Sequence, residues 1–228
     1  MFKKLNNIGD CGIVCDFGEE VNREINASVI KLFHHIKQEV LKGNLNGILN
    51  YTPSYNKLII NFDLEKINSS KIIDFLNSVD FSKLNINQNS KKWTIPVCYD
   101  YEMDLENVSK TLKISKDEII NIHSNTDFFV YMIGFIPGHP FMGDLNPKLF
   151  LNRLNTPRVK IPPGSVGIVE KFCNIYPYES PGGWNIIGRT PIKLFNKQNE
   201  TSPCLLSPGD SIKFNSISKK EFQKLENE

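Results

Sequence analysis

Four glycine- and proline-rich segments hold the side chains of this chain best suited to chemistry: Gly134 to Gly143, Thr156 to Gly167, Ser180 to Trp184 and Ile187 to Pro191. Glycine permits positive φ and close approach of a ligand to the backbone, while proline stiffens the flanks. Repeated four times, the pairing describes rigid loops whose amides point at a ligand; the same residues also make the ordinary turns of a β-rich domain. Arg153, Arg158 and Arg189, three of the four arginines, fall in this region of a chain that otherwise uses lysine, with 23 of them. A guanidinium offers a planar five-donor fork that grips carboxylate or phosphate through two parallel bonds, and it can equally bridge loop carbonyls. His139, held between Gly138 and Pro140, has the side chain of a general base or of a polar binding group, or of a loop histidine facing solvent. The candidate chemical groups are therefore His139, Arg158 and Arg189. The candidate substrate contacts are Gly138, Ser165, Ser180, Gly182, Gly183, Trp184 and Thr190. Ser165 lacks the strand–turn–helix setting of a serine nucleophile, so a hydroxyl or amide contact is its expected role.

Other residues invite chemistry less. Cys11 and Cys15 share the spacing of a metal pair, but on a strand both point inward with Ile13 and Phe17, and no second pair follows at zinc spacing. No metal site is expected. His123 ends a helical stretch, where an imidazolium would complement the dipole. His34 and His35 lie on an amphipathic helix and cannot present both rings to one site. There is no phosphate loop of the G-x-x-x-x-G-K-[ST] type, no G-x-G-x-x-G and no kinase signature.

The elements that must position these groups divide near residue 89. Cys11 to Phe17 alternates as a strand, and Val29, Phe33, Ile36 and Val40 recur at helical spacing until Gly43. Gly47 to Tyr51 and Lys57 to Phe62 read as strands around a turn at residues 52–56, and Ser69 or Ser70 can cap a second helix through Val79. Strand, helix, two strands and helix describe a small α+β sandwich over residues 1–88. A polar linker from Leu84 to Lys92 leads to a strand at Trp93 to Tyr99. Helices follow at Asp104 to Thr111 and at Ser115 to His123, where Ser115 and Glu118 form a capping-box pattern. Short apolar runs then recur at Phe129–Ile133, Ser165–Val169, Trp184–Ile187, Ile192–Phe195 and Ser211–Phe214, among 11 of the 13 prolines. That rhythm predicts a β-barrel or sandwich with long functional loops over residues 89–228.

Composition sets the outer bounds. A hydrophobic share of 40% is enough to bury a core, and a net charge of +2 without a basic block argues against nucleic-acid binding. No apolar run approaches the ~20 residues that cross a bilayer, and no apolar segment of signal-peptide length follows the basic start. The five scattered cysteines suit a reduced cytoplasmic protein with free thiols.

A longer series of motifs runs in order along nearly the whole chain. It includes Gly9-Asp10, Phe17-Gly18, Ile95-Pro96-Val97-Cys98-Tyr99-Asp100, His123-Ser124 and Gly134-Phe135-x-Pro137-Gly138. Its densest part is Pro157-Arg158, Pro163-Gly164-Ser165-Val166-Gly167-Ile168, Ser180-Pro181-Gly182-Gly183-Trp184, Ile187-Gly188-Arg189-Thr190-Pro191 and Pro208-Gly209-Asp210. In this series the chain resembles the family of 5-oxoprolinase B subunits, also called allophanate hydrolase subunit 1. It departs at His139, where the family usually has an aromatic, at Phe141-Met142 and at Cys173-Asn174. The resemblance implies a small N-terminal α+β domain followed by a cyclophilin-like β-barrel, in a cytoplasmic complex with subunits A and C. Such complexes open the 5-oxoproline lactam to glutamate with ATP. Phosphorylating the amide oxygen would make the lactam carbon electrophilic, a role that suits Arg158, Arg189 and the amides of Gly182 and Gly183. Two other readings stay open: half of a biotin-dependent carboxyltransferase acting on urea or a related amide, and a binding protein that inhibits a sensor histidine kinase.

Overall fold

A computed structural model describes residues 2–84 and 90–227. They fall into two compact units, residues 1–89 and 90–228.

In the first unit, strands β1 (Lys4–Asn7) and β2 (Gly12–Asp16) precede helix α1 (Arg23–Leu41), and β3 (Ile48–Pro53) and β4 (Lys57–Phe62) precede helix α2 (Ser69–Ser78). The strands form one antiparallel sheet in the order β1-β2-β4-β3. Period-two alternation sends Ile13 and Cys15 of β2, and Leu58, Ile60 and Phe62 of β4, to one face, where Val29, Leu32 and Ile36 of α1 cover them. Burial pushes the Cys15 thiol up to about 12. Cys11 is exposed, contrary to the expectation that both thiols point inward. It sits in the turn after Gly9 and precedes the strand that was to orient it. The cap of α2 is Asn68, whose side chain accepts from the Lys71 amide at 2.9 Å, rather than Ser69 or Ser70. The expected linker falls partly on residues 85–89, outside the described residues.

The second unit opens with β5 (Lys92–Val97) and helices α3 (Leu105–Leu112) and α4 (Lys116–Asn125). Strands β6 (Phe128–Ile133), β7 (Pro140–Gly143), β8 (Arg158–Ile161), β9 (Ser165–Val169), β10 (Phe172–Ile175), β11 (Ser180–Gly182), β12 (Asn185–Arg189) and β13 (Ser211–Ser216) follow, with α5 (Lys219–Glu226) last. Seven strands pair in the order β12-β9-β10-β7-β6-β13-β5. The two edges meet through a bridge between Cys98 and Arg189, with N–H···O distances of 2.8 and 3.0 Å, so the sheet curls into a nearly closed barrel. The run Ile192–Phe195, expected as a strand, forms no strand among the described residues and contributes a bridge from Phe195 to Cys204. Of the expected capping box at α4, the described hydrogen bonds give one half: Ser115 Oγ accepts from the Glu118 amide, while the Glu118 carboxylate reaches Lys148 at 3.7 Å.

Alternation divides the barrel strands between two apolar layers. Val166 and Ile168 of β9, Cys173 and Ile175 of β10 and Ile187 of β12 face the interior. Val169, Tyr176 and Ile186 face outward and join Trp184 and Ile161 in a second cluster. Ile161 belongs to a separate two-stranded ribbon of β8 and β11. The ribbon therefore lies against the outer face of the barrel.

His123 belongs to the interior. The sequence placed it at a helix end as a cation, but it is fully buried. Its Nδ1 lies 2.7 Å from the Tyr99 hydroxyl, its Nε2 3.6 Å from Cys173 Sγ, and its ring stacks on Phe214 at 4.6 Å. Burial among these groups drives its pKa down to about 3, so it is a neutral core residue.

Candidate functional site

His139 ends a tight loop closed by Gly134 N–H donating to His139 O at 3.1 Å and His139 N–H donating to Ile136 O at 3.2 Å. Gly138 adopts φ of +75°, and a Cβ there would stand 2.7 Å from Cβ of Phe195. The loop turns the imidazole inward, to 1% exposure. Its ring stacks on Phe141 at 4.7 Å with an interplanar angle of 11°, and lies 5.0 Å from the Tyr176 ring. Burial lowers its pKa to about 4, so the ring is neutral near pH 7, with one donor nitrogen and one acceptor.

Asn174 of β10 stands in register with Phe141 of β7 and Gly167 of β9. Gly167 makes room for it: a Cβ there would lie 2.7 Å from Asn174 Oδ1 and 3.0 Å from Cβ of Trp184. The amide is close enough to the Tyr176 hydroxyl to oppose the rise that burial causes in its pKa, yet meets no partner at hydrogen-bonding geometry among the described residues. Ser180 opens β11 opposite Ile161 of β8, and a register shift separates it from Gly182, whose position meets Tyr176. Both ring nitrogens of His139, both amide atoms of Asn174 and the Ser180 hydroxyl are buried without a hydrogen-bond partner among the described residues. Buried polar groups are nearly always satisfied, and each orphan costs about 1–3 kcal/mol. All five lie beneath the surface, His139 against the rings of Phe141 and Tyr176.

Gly182 seals the ribbon against that wall. A Cβ there would lie 2.2 Å from the Tyr176 hydroxyl oxygen and 2.8 Å from Ile161 Cδ1, whereas the nearest atom to a Cβ on Gly183 is 3.6 Å away. Gly182→Ala is therefore expected to destabilise the second unit by about 1–3 kcal/mol through overpacking, and Gly183→Ala to leave it nearly unchanged. Chemical unfolding of the two variants side by side checks this. Equal stabilities would mean that the ribbon yields freely.

The arginines are committed. Arg158 Nη1 donates to Asp104 Oδ2 at 3.0 Å, and Nη2 donates to Oδ1 of the same carboxylate. Asp104 is itself 1% exposed and also accepts from the Ile186 amide at 2.7 Å. Arg158 and Arg153 nevertheless lie near enough to Tyr176 for their charges to oppose the rise in its pKa. Arg189 donates from Nε to Pro163 O at 2.8 Å, pairs through Nη2 with Glu226 at 3.2 Å and covers the Phe222 ring at 5.3 Å. With Gly164, Thr190 and Tyr178 it lines a cleft of about 290 Å³. There the Thr190 amide donates to Gly164 O at 2.9 Å, and Thr190 Oγ1 accepts from the Ile192 amide at 3.2 Å. The Tyr176 backbone borders the cleft, since Gly164 N–H donates to Tyr176 O and Tyr176 N–H donates to Ser165 O.

Residues 3–206 match the family described as carboxyltransferase domain, subdomain C and D. The chain belongs to that family. It is 34% identical to the B subunit of 5-oxoprolinase from Bacillus subtilis (strain 168), over 96% of this chain and 95% of that protein. Among solved structures, TTHA0988 superposes with a TM-score of 0.78 at 30% identity, over 91% of this chain. The urea amidolyase of K. lactis gives 0.76 at 24% identity, over 96% of this chain, and so shares the fold. The chain spans nearly the whole length of the Bacillus subtilis protein, but 40% of TTHA0988 and 15% of the amidolyase.

Within this family member, the sequence-derived candidates separate into two groups. His139, Gly182 and Trp184 pack around Phe141 and Tyr176, with Gly138 setting the loop, while Ser180 opens the ribbon strand β11. Arg189, Thr190 and the backbone of Ser165 belong to the cleft. Arg158 stands between Asp104 and Tyr176. Phe141 and Asn174 entered the sequence reading only as departures from the family pattern, and Tyr176 not as a site residue; the alternation of residues 172–176 places Asn174 and Tyr176 on the outer face. Among the described residues, no cluster of three or more His, Cys, Asp or Glu could hold a metal ion, and no helix is long and apolar enough to cross a membrane.

Proposed function

We propose that this chain is the B subunit of an ATP-dependent 5-oxoprolinase, acting in the cytoplasm with subunits A and C to open 5-oxo-L-proline to L-glutamate. The observation that carries the reading is the 34% identity to the B subunit of the Bacillus subtilis 5-oxoprolinase, which extends over nearly the full length of both proteins. The arginines suit the phosphate role less well than their residue type suggested, since Asp104 and Glu226 already occupy them. In this reading the nucleotide is held by a partner subunit, while Arg158 and Arg189 fasten the walls of the site. His139, with a pKa of about 4, serves as a hydrogen-bonding group rather than a strong base.

The test is ATP hydrolysis by the chain reconstituted with its A and C partners, with and without 5-oxo-L-proline, while glutamate is measured in parallel. ATP turnover that depends on the lactam and yields glutamate is expected. Turnover indifferent to 5-oxo-L-proline but stimulated by urea or another amide would overturn the substrate. A stable complex without turnover on any of them would overturn the enzymatic reading.

A further inference from the structure

We infer that the cleft over Arg189 receives the carboxylate of the substrate, and that Glu226 of α5 occupies the guanidinium in its absence. The inference rests on the 5-oxoprolinase reading and assigns the group of 5-oxo-L-proline that this chain recognises.

The two arginine ion pairs of this unit differ in how easily they exchange. Asp104, the partner of Arg158, is 1% exposed and also accepts from the Ile186 amide, so no carboxylate from solvent can take its place. Glu226, the partner of Arg189, is 46% exposed and holds a single guanidinium nitrogen, Nη2, at 3.2 Å. An ion pair this open to water adds little to stability, so a competing carboxylate displaces it at small cost. The guanidinium itself is fixed. The Arg189 backbone is bridged to Cys98 in both directions, Nε donates to Pro163 O, and the Phe222 ring lies 5.3 Å from the guanidinium carbon. Phe222 is fully buried and packs on Tyr101 at 4.7 Å, so α5 stays seated when Glu226 lets go. The end of the fork is then available. Nη1 has no partner among the described residues, and Nη2 has an exchangeable one. Together they present two parallel donors, the geometry that a carboxylate accepts through both oxygens.

The cleft suits the remainder of such a ligand. Lys193 lines it with Arg189 and Glu226, two cations to one anion, and has no partner among the described residues. Tyr178 and Phe195, with ring centroids 6.2 Å apart, supply an apolar wall. A volume of about 290 Å³ lies at the small end of ligand pockets, which run from roughly 300 to 1,000 Å³. The cleft therefore fits a five-membered ring with one carboxylate and is too small for a nucleotide.

Affinity in the reconstituted complex, for 5-oxo-L-proline and for its carboxamide, tests this. The carboxamide replaces the charged carboxylate by a neutral amide, and the wild-type complex should bind it, as an inhibitor, about 10-fold or more weakly. Glu226→Gln keeps the side-chain size and removes the competing charge. It should tighten 5-oxo-L-proline by about 2- to 5-fold, the range of an exposed ion pair, and leave the carboxamide unchanged. Arg189→Lys keeps the charge but loses the fork. It should raise KM for 5-oxo-L-proline by about 10-fold and move the carboxamide much less. A residue that served the fold alone would shift both ligands together. Unchanged affinity for 5-oxo-L-proline in Glu226→Gln, or a preference for the carboxylate that survives Arg189→Lys, would overturn the inference, while lactam-dependent ATP turnover leaves the enzymatic reading standing. Equal binding of carboxylate and carboxamide by the wild type would overturn it without any variant. If the wild-type complex ignores 5-oxo-L-proline, the enzymatic reading itself fails, and the inference with it.

Discussion

Asp104→Ala is expected to destabilise the second unit by about 3–5 kcal/mol, the usual consequence of removing one partner of a buried ion pair. Asp104 is nearly inaccessible, receives both terminal nitrogens of Arg158 and also accepts from the Ile186 amide on β12. Its own amide donates to Ile186 O at 2.9 Å. The residue thus fastens the segment before α3 to β12 and the ribbon to both. Truncation leaves a guanidinium that is 28% exposed without its anion and strips the Ile186 N–H of its acceptor. Arg158→Ala should cost a comparable amount, because it leaves a buried carboxylate with its counter-charge gone. The double variant should lose clearly less than the sum of the two single losses, since the second truncation removes the group that the first left stranded. Both tryptophans, Trp93 and Trp184, lie in this unit, so urea unfolding followed by tryptophan fluorescence reports on it directly. Strict additivity in that cycle would show that the pair is not coupled, and would free Arg158 for the ligand-gripping role that its residue type suggested.

Arg158 also shows where sequence reading reaches its limit. Its type and its place beside a proline mark it as special, but its partner is 54 residues away and nothing local couples the two. The same holds for Arg189 and Glu226, 37 residues apart. Legible elements were those whose burial imposes a period. Helix α1 and strands β2 and β4 each bury one face, and their apolar residues recur accordingly. Ribbon strands β8 and β11 are short, flanked or interrupted by Pro162 and Pro181, and leave Val159 exposed, so they carry no alternating signal. Helix α5 buries Phe222 amid lysines and glutamates and shows no stripe, although Ser218 and Glu221 form a complete capping box at its start. Ile192–Phe195 has the composition of a strand, but Pro191 precedes it and it finds no ladder among the described residues. Within the site, His139 stood out because glycine and proline flank it. Asn174 stood out only as a departure from the family pattern, because polarity at one strand position signals an outward side chain and cannot show that it will be buried.

The second large effect is expected in acid. Between pH 7.5 and about 6.5 the stability of the second unit should change little, and it should then fall by about 3 kcal/mol on reaching pH 5. His123 and His139 are responsible. Burial holds their pKa values at about 3 and about 4 in the folded chain, against an ordinary value of 6.5. Once the pH drops below the unfolded pKa, the unfolded chain binds a proton at each histidine while the folded chain binds neither. Stability is therefore fully present above about pH 6.5 and is lost as the pH falls towards the folded values, at about 1.4 kcal/mol per pH unit for each group. The window from about 6.5 to 5 is diagnostic because most carboxylates there are still ionised in both states. His139→Phe should roughly halve the slope, whereas a variant of the pair His34 or His35, in the first unit, should not change it. Urea midpoints read from tryptophan fluorescence across the window give the slope. Such a loss is large against the roughly 5–15 kcal/mol of a typical domain, so the unit should be close to unfolding near pH 4. A midpoint independent of pH down to 5 would mean that water or charge reaches both imidazoles in the folded chain, and His139 would then regain the basicity that its burial removes.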